Sequence, residues 1–156
     1  MQIEIEIERR DISIWRELRS IYKAAYENSE GYSLKSESAI KRYLKWLYKR
    51  DKNGLFTAKL DEKTVGFIFV DANWWSKEEG ERVGAIHELA VLPEYQRRGI
   101  GDQLLKRGMD YLIRSGRNKI ETWVGSGNKA GLAISRKAGF EEKDRKAIWI
   151  RLIKKI

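Results

Sequence analysis

A turn between a predicted strand and a predicted helix carries the residues best suited to chemistry. It reads Gln96-Arg97-Arg98-Gly99-Ile100-Gly101-Asp102 and follows the apolar run Leu89-Ala90-Val91. The first amides of a helix have no partner within it and lie at the positive end of its dipole, and glycines let a ligand approach the backbone closely. The turn can therefore bind an anion such as phosphate, with Arg97 and Arg98 adding positive charge. An ordinary turn with solvated arginines is an equal interpretation of the same residues.

The composition excludes several other kinds of site. The 156 residues contain no cysteine and a single histidine, His87. A disulfide framework, a thiolate metal site and a cysteine nucleophile are therefore excluded, and so is a metal site with several histidine ligands. A Ser-His-Asp triad would have to use His87 itself. The turn also lacks the glycine spacing of the dinucleotide-binding and P-loop motifs.

The chain is basic, with 32 Lys and Arg against 23 Asp and Glu and a net charge of +9. These cations alternate with apolar positions, which is typical of solvated helix faces. The sequence therefore does not favour a nucleic-acid partner, and we interpret the charge as a field that attracts an acidic ligand. No apolar run approaches the ~20 residues of a membrane helix, and the first residues do not resemble a signal peptide. We expect a cytoplasmic protein with no membrane partner, and the 35% of charged residues indicate a thermophilic source.

The hydrophobic periodicity predicts a single α/β (α+β) domain over residues 1–156. Its expected architecture is a mixed, largely antiparallel central sheet flanked by helices, in the order βααβββαβαβ. Asp11 is the predicted cap of the first helix, and Gly116 and Gly139 end two later ones. The predicted elements after the strand that contains Ile3, Ile5 and Ile7 are two helices, a hairpin of strands 55–60 and 64–70, a loop 71–81, a strand 83–92, a helix up to 116, a strand 119–124, a helix 128–138, a short extra strand 140–142 and a final strand 147–153.

The final predicted strand, residues 147–153, is unusually apolar. At the edge of a sheet such a strand exposes unpaired backbone groups that can pair with another chain. We therefore predict a homodimer, which a purely monomeric protein in solution would contradict.

The glycine-containing turn resembles the signature of the GNAT superfamily of N-acetyltransferases. Gln96 to Gly101 matches the pattern Gln/Arg-x-x-Gly-x-Gly/Ala, and the segment from Asn128 to Phe140 resembles the family's second motif, in which Asn begins a short helix that ends in Gly-Phe. The element order fits that family over the whole chain. The resemblance implies a GNAT-like fold and direct transfer of an acetyl group from acetyl-coenzyme A to an amine. That amine is a protein N-terminus, a lysine or a small molecule, and no metal takes part.

The resemblance also implies where acetyl-coenzyme A binds. The amides of the turn, Gln96, Arg97, Arg98, Gly99, Ile100, Gly101 and Asp102, would hold the pyrophosphate. The backbone of Leu89, Ala90 and Val91 would pair with the pantetheine arm as a neighbouring strand does, where the sheet splays open. Asn128 would hydrogen-bond the arm from the other side, and a backbone amide near Val91 would polarise the thioester carbonyl.

Three positions depart from the family pattern. Asp102 opens the helix with a charge that would repel phosphate if it faced inward. Gly131 stands where Ala is usual. Ser135 stands where many relatives carry a Tyr that protonates the leaving thiolate. An ordinary serine hydroxyl is too weak an acid for that step, so Ser135 is a weak candidate acid.

His87 and Glu88 are the candidate general bases. His87 has the only side chain whose unperturbed pKa, ~6.5, suits proton transfer at neutral pH. In a regular strand His87 and Glu88 point to opposite faces, and a single bulge would exchange those faces. Some relatives carry a catalytic His or Glu on this strand. The sequence does not decide which of the two residues is the base. It is equally consistent with structural roles, in which His87 bonds to a backbone group and Glu88 forms a salt bridge.

The acceptor pocket, by the resemblance, lies between the first two helices and the loop that joins two strands. Its predicted lining residues are Tyr26, Tyr32, Trp74 and Trp75, with Asp71 and Glu30 as candidate partners of the amine. The two tryptophans are alternatively a dimer contact or a lid over the core.

Two further functions stay open at this level. One is an inactive acyl-coenzyme A-binding module of the same fold, which is consistent with a serine at position 135 in place of the usual tyrosine. The other is a basic nucleic-acid-binding domain, although no helix-turn-helix, zinc-finger or RNA-binding aromatic signature is present. Thermal stabilisation by acetyl-coenzyme A and acetyl transfer to amines would separate these functions.

Overall fold

The computed structural model describes residues 4–28, 31 and 33–156, so the predicted strand residue Ile3 lies outside the described residues. Among the described residues, none of the helices has the length and apolar character needed to cross a membrane. The elements are β1 (Ile5–Arg9), α1 (Trp15–Ala25), α2 (Glu37–Arg50), β2 (Leu55–Leu60), β3 (Lys63–Ser76), β4 (Glu81–Val91), α3 (Ile100–Arg114), β5 (Lys119–Gly125), α4 (Lys129–Lys137), β6 (Glu141–Lys146) and β7 (Trp149–Lys155).

The strands form one sheet in the order β1-β2-β3-β4-β5-β7-β6. β4 and β5 are parallel, and the other neighbours are antiparallel. The predicted mixed, largely antiparallel sheet flanked by helices is therefore confirmed. Short connections join the antiparallel neighbours β2–β3, β3–β4 and β6–β7, whereas the parallel pair β4–β5 is joined through α3, as parallel strands require a crossover.

Helices cover both faces of the sheet because each carries an apolar stripe. Leu18, Ile21 and Tyr22 recur at helical spacing on α1 and pack with the buried side of α2 and with Ala90 of β4. On the other face, Leu104 of α3 belongs to a core that includes residues of α4, Ile86 and Val91. Each buried Leu or Ile contributes about 1.5–3 kcal/mol through removal of its side chain from water.

Local capping residues set the helix ends where the sequence predicts them. The Asp11 side chain accepts a hydrogen bond from the Ser13 amide and begins a short 3₁₀ turn that leads into α1. The Asn128 side chain caps α4 in the same way. Gly116 and Gly139 follow α3 and α4 with φ of +90° and +95°, a region that favours glycine. These predicted boundaries are confirmed.

The predicted loop at 71–81 is wrong. β3 continues to Ser76 and forms a hairpin with β4, with the turn at residues 77–80. The hydrophobic pattern of the sequence does not indicate this part of the strand, for two physical reasons. Asp71 is fully buried, although aspartate usually indicates a turn, and a bulge between Asp71 and Trp74 breaks the alternation of the two faces.

The last predicted strand would need a covering chain only at a sheet edge, and it does not lie at one. β7 lies between β5 and β6, so its apolar residues are covered within the chain. On this side of the sheet the edge is β6, whose six residues, Glu-Glu-Lys-Asp-Arg-Lys, are all exposed. Charged edge strands discourage pairing with other chains. The homodimer stays a prediction, without the edge strand as its reason.

Candidate active site

The sheet opens between β4 and β5. Their pairing covers three residues of each strand and ends where Ile86 meets Thr122. A cavity of about 660 Å³ lies there, which is a volume typical of small-ligand sites. Residues from both faces of the sheet line it, including Tyr22, Tyr26, Tyr43, Leu34, Glu88, Leu89, Leu105, Asn128, Ile134, Ser135, Lys146 and Trp149. The cavity therefore passes through the sheet, from the side of α1 and α2 to the side of α3 and α4.

The backbone of β4 beyond this point has hydrogen-bonding groups that do not bond to β3. The Leu92 amide donates to the Val65 carbonyl of β3 at 2.8 Å. Because alternate residues of an antiparallel pair bond to the partner strand, the polar backbone groups of Leu89 and Val91 point away from β3. The Val91 carbonyl accepts instead from the Gln96 side chain at 3.0 Å. An extended ligand can therefore lie along this edge of β4.

The turn before α3 has the geometry of an anion site. Gly99 is the N-cap, with φ of +80°, and Arg97 also has a positive φ of +66°. The amides of residues 100–102 are in the first helical turn and have no intrahelical acceptor. The Gln96 amide donates to the Pro93 carbonyl and its side chain to Val91, so the amides suited to phosphate follow Gln96 in the chain.

The structure explains two of the three departures from the family pattern. The Asp102 carboxylate lies 3.4 Å from the Lys137 ammonium group of α4, so its charge is partly neutralised at the surface. A Cβ on Gly131 would lie 2.7 Å from the Asn128 side chain, which caps α4 by accepting from the Gly131 amide at 2.9 Å. Asn128 lines the cavity in this position, and its Nδ2 group is the donor left for a ligand.

Glu88 faces the α1–α2 side of the cavity. The Tyr43 hydroxyl donates to Glu88 Oε2 at 2.7 Å, and the Tyr26 hydroxyl donates to Oε1. Burial raises the pKa of the Glu88 carboxyl to about 7, while the two hydroxyl donors favour its ionised form. Glu88 can therefore gain and lose a proton near neutral pH, as a general base must.

Three tyrosines surround the Glu88 carboxylate. The Tyr22 ring centroid lies 4.7 Å from that of Tyr26 and 6.0 Å from that of Tyr43. Burial and the nearby Glu88 charge raise the pKa of Tyr22 to about 12 and that of Tyr43 well above its ordinary value. Both hydroxyls therefore stay protonated. The aromatic rings and the carboxylate together form a wall that suits a cationic amine.

His87 also lines the cavity, but its imidazole has different partners from the Glu88 carboxylate. Its Nε2 atom lies 3.1 Å from Asp71 Oδ2, and the ring meets the Trp74 ring edge-on at 4.9 Å. Asp71 is fully buried and also accepts from Arg50 Nε at 3.1 Å. Burial alone would raise the pKa of Asp71, but hydrogen bonds from His87 and the Asn73 amide and the Arg50 charge hold it below its ordinary value. Asp71 is therefore engaged in this cluster.

The predicted acceptor residues are only partly brought together. Tyr26 lines the cavity beside Glu88. Trp74 and Trp75 lie on β3, outside the cavity lining formed by the described residues. Trp74 contacts His87, and Trp75, on the opposite face, is 54% exposed. Tyr32 and Glu30 lie outside the described residues.

Comparison with known proteins assigns the fold to a family. The model of the Acetyltransferase (GNAT) family matches residues 15–140. The chain belongs to this family. A relative in Archaeoglobus fulgidus, named an uncharacterized N-acetyltransferase, is 39% identical over 124 residues, or 80% of this chain and 84% of that protein. One in Methanocaldococcus jannaschii with the same description is 38% identical over 136 residues, or 87% of this chain. The chain spans 60% of the length of that second relative.

Solved GNAT-like structures share the whole fold. A crystal structure from Pyrococcus horikoshii is 38% identical, with a TM-score of 0.89 over 98% of this chain and 99% of that one. The N-acetyltransferase PaiA from Thermoplasma acidophilum, solved in complex with coenzyme A, is 21% identical, with a TM-score of 0.75 over 98% of this chain and 99% of that one.

The site has the features that the GNAT cosubstrate, acetyl-coenzyme A, requires. Leu89, at the open edge of β4, lines the cavity, while Val91 and the amide-rich turn with positive φ values at the start of α3 lie beyond the lining residues. Ser135 of α4 lines the cavity and is 8% exposed. Among the described residues, no group of three or more His, Cys, Asp or Glu side chains is arranged to hold a metal ion.

Sequence reasoning missed Tyr22 and Tyr43 as cavity residues. Tyr22 lies on α1 and Tyr26 directly follows the helix four residues later, so a shared face was predictable. That this face meets both the core and the cavity depends on where α2 and β4 lie. Lys146 and Trp149, next to the β6–β7 turn, also line the cavity, and no local pattern singles them out.

Proposed function

We propose that this GNAT protein transfers the acetyl group of acetyl-coenzyme A directly to a primary amine, with Glu88 as the general base. The observation that carries the proposal is the Glu88 carboxylate, held in the cavity by the Tyr26 and Tyr43 hydroxyls with a pKa near neutrality. Acetyl-coenzyme A supplies the activated acetyl group as a thioester. The open edge of β4 and the turn before α3 support its binding on the α3–α4 side of the sheet.

Glu88 removes the proton that would keep the amine unreactive. The acceptor enters from the α1–α2 side as an ammonium ion, which the carboxylate and the tyrosine rings attract. Proton transfer to Glu88 leaves a neutral amine, which has the lone pair needed for attack on the carbonyl carbon. The Leu89 or Val91 amide, which points away from β3, donates a hydrogen bond to the carbonyl oxygen as negative charge develops there.

The proton balance favours an α-amine as the acceptor. Transfer from a lysine ammonium of pKa ~10.4 to a carboxyl of pKa about 7 is uphill by roughly 4.6 kcal/mol. The same transfer from an α-ammonium group of pKa ~7.7–8.0 is uphill by only about 1–1.4 kcal/mol. We therefore propose an N-terminal α-amine as the preferred acceptor, because its deprotonation by Glu88 adds the smaller amount to the activation free energy.

Ser135 is not required as a proton donor in this proposal. Attack by the neutral amine leaves an extra proton on its nitrogen, which the amide product must lose, and this proton can pass to the leaving sulfur, whose thiol pKa is ~8.5. The proton taken up by Glu88 is then released to solvent. The Ser135 hydroxyl can still donate a hydrogen bond within the cavity that it lines.

The test is acetyl transfer by wild-type protein and Glu88→Gln, measured as thiol release and as product mass. The acceptors are a peptide with a free N-terminus and no lysine, and the same peptide with a blocked N-terminus and one lysine. We expect faster turnover of the first peptide and a large loss of turnover in Glu88→Gln, with stabilisation by acetyl-coenzyme A retained. Faster acetylation of the blocked, lysine-containing peptide would contradict the α-amine proposal.

An acyl-coenzyme A-binding module without catalysis is the second candidate, since Ser135 lacks the acidity of tyrosine. Stabilisation by acetyl-coenzyme A without thiol release over a broad amine panel would support it. We also propose that the 156 residues act as one functional unit. The homodimer, the cytoplasmic location and the thermophilic source stay predictions.

A further inference from the structure

Two bulges interrupt the ladder between β3 and β4 next to the proposed base. In the first, Phe69 pairs with Glu88 and Val70 with Ile86, so His87 is an extra residue on β4. In the second, residues 72 and 73 stand on β3 between the pairs Asp71–Ala85 and Trp74–Val83. Both bulges lie within a few residues of Glu88 and have opposite effects on the register.

The bulge at His87 decides which face of the sheet Glu88 occupies. In a regular strand Glu88 would share the face of Ile86, because residues two apart point the same way. Ile86 packs into the core on the α3 side. The extra residue instead gives Glu88 the face of Ala90, which packs into the core of α1 and α2. The contacts of Glu88 with Tyr26 and Tyr43 therefore depend on this single insertion.

Side chains hold the bulge in place. The His87 imidazole bonds to Asp71 at 3.1 Å, and its ring lies 4.9 Å from Trp74 and 6.1 Å from Trp46. Asp71 also accepts from the Asn73 amide at 2.9 Å and from Arg50 at 3.1 Å. The fully buried Asp71 carboxylate thus links both bulges to α2.

We propose that His87 and Asp71 are positioning residues that lock the bulge and so place the Glu88 carboxylate on the acceptor side, while the His87 imidazole exchanges no proton with the acceptor. This inference rests on the proposed role of Glu88. It gives His87 a function distinct from the general base, although both residues are adjacent on the same strand. Both residues line the cavity, but the imidazole is held by Asp71, whereas the Glu88 carboxylate is held by the Tyr26 and Tyr43 hydroxyls.

The test compares His87→Gln with His87→Ala. A glutamine amide can donate to Asp71 but has no basic group at neutral pH, so we expect His87→Gln to keep near wild-type turnover. His87→Ala frees the bulge, so we expect kcat to fall by roughly a hundredfold with little change in KM for acetyl-coenzyme A, as for a misplaced catalytic group. The assay uses the peptide with the free N-terminus. Asp71→Asn changes kcat in the same direction and replaces His87→Ala if that variant does not fold.

A second readout does not require activity. The titration of the Glu88 carboxyl, followed by carbon NMR and assigned with Glu88→Gln, should stay at its wild-type position in His87→Gln and move in His87→Ala. Unchanged titration and turnover in His87→Ala would overturn the proposal. So would a His87→Gln variant as slow as His87→Ala with Glu88 titrating normally, because His87 would then act as the base. Failure of the proposed function alone appears differently, as full activity in Glu88→Gln.

Discussion

Replacing Tyr43 by phenylalanine should shift the pH dependence of catalysis in a direction that the structure fixes. The Tyr43 hydroxyl donates to Glu88 Oε2 at 2.7 Å and so stabilises the ionised carboxylate. A hydrogen bond to a charged group contributes about 1.5–3 kcal/mol, and one pKa unit corresponds to about 1.4 kcal/mol. The loss should therefore raise the pKa of Glu88 from about 7 by one to two units. Turnover at pH 7 falls roughly 5- to 50-fold, as the ionised fraction does.

The assay is kcat with the peptide acceptor from about pH 5.5 to about pH 9.5. The acid limb should move upward in Tyr43→Phe, and activity should recover on the alkaline side. Titration of the acceptor itself cancels because each variant receives the same peptide. Tyr22→Phe is the matched control, since the Tyr22 hydroxyl accepts from the Leu34 amide at 3.0 Å. An unmoved acid limb in Tyr43→Phe, or an equal shift in Tyr22→Phe, would refute Glu88 as the base.

Three further predictions test the turn, the buried carboxyl and the ion-pair network. Gly99→Val should abolish the stabilisation by acetyl-coenzyme A, which is about 2.7 kcal/mol at 100 times Kd. Gly116→Val, at a residue with a similar positive φ at the far end of α3, should keep this stabilisation. Equal stabilisation of both variants in thermal melts would contradict the anion site. Glu88→Gln should raise Tm at pH 8 and not at pH 4. The pKa of Glu88 is about 7 in the folded protein and ~4.3 in the unfolded chain, so ionisation of Glu88 lowers the free energy of unfolding by up to roughly 3–4 kcal/mol as pH rises. Arg151→Met should lower the free energy of unfolding, measured with denaturant, by about 3–5 kcal/mol, because the Glu121 carboxylate, 1% exposed, loses its buried partner. A smaller decrease would mean that water compensates the Glu121 charge.

The parts of the site that depend on local chemistry were predictable from the sequence. A glycine that accepts a positive φ, followed by an amphipathic helix, indicates the turn at Gly99 without knowledge of the rest of the chain. The same is true of Asn128, since an asparagine before a helix is a good cap wherever the helix lies. These features need only a few consecutive residues, and the expected order of helices and strands agrees with the structure except at the predicted loop 71–81.

The features that depend on register could not be predicted. The face of Glu88 is decided by an extra residue opposite β3, and neither His87 nor its neighbours have a composition that marks a bulge. Trp74 and Trp75 were expected in a loop that begins at Asp71, yet Asp71 is paired with Arg50 and hydrogen-bonded to His87 inside the protein. A sequence lists charges but not their partners, so it cannot distinguish a turn aspartate from a buried one.

The position of the His87 bulge connects the two halves of the site. Pairing of β4 with β5 ends at Ile86, where the Thr122 hydroxyl donates to the Ile86 carbonyl, and His87 is the next residue. The strands therefore part at the residue that also turns Glu88 toward α1 and α2. Because the strands part, β4 has an open edge for the proposed cosubstrate site. Because the face changes, the Glu88 carboxylate lies on the α1–α2 side, where we propose that the acceptor binds. Because one inserted residue lies at both events, the proposed base Glu88 lies where the cavity crosses the sheet, which is where the proposed direct transfer between the two sides requires it.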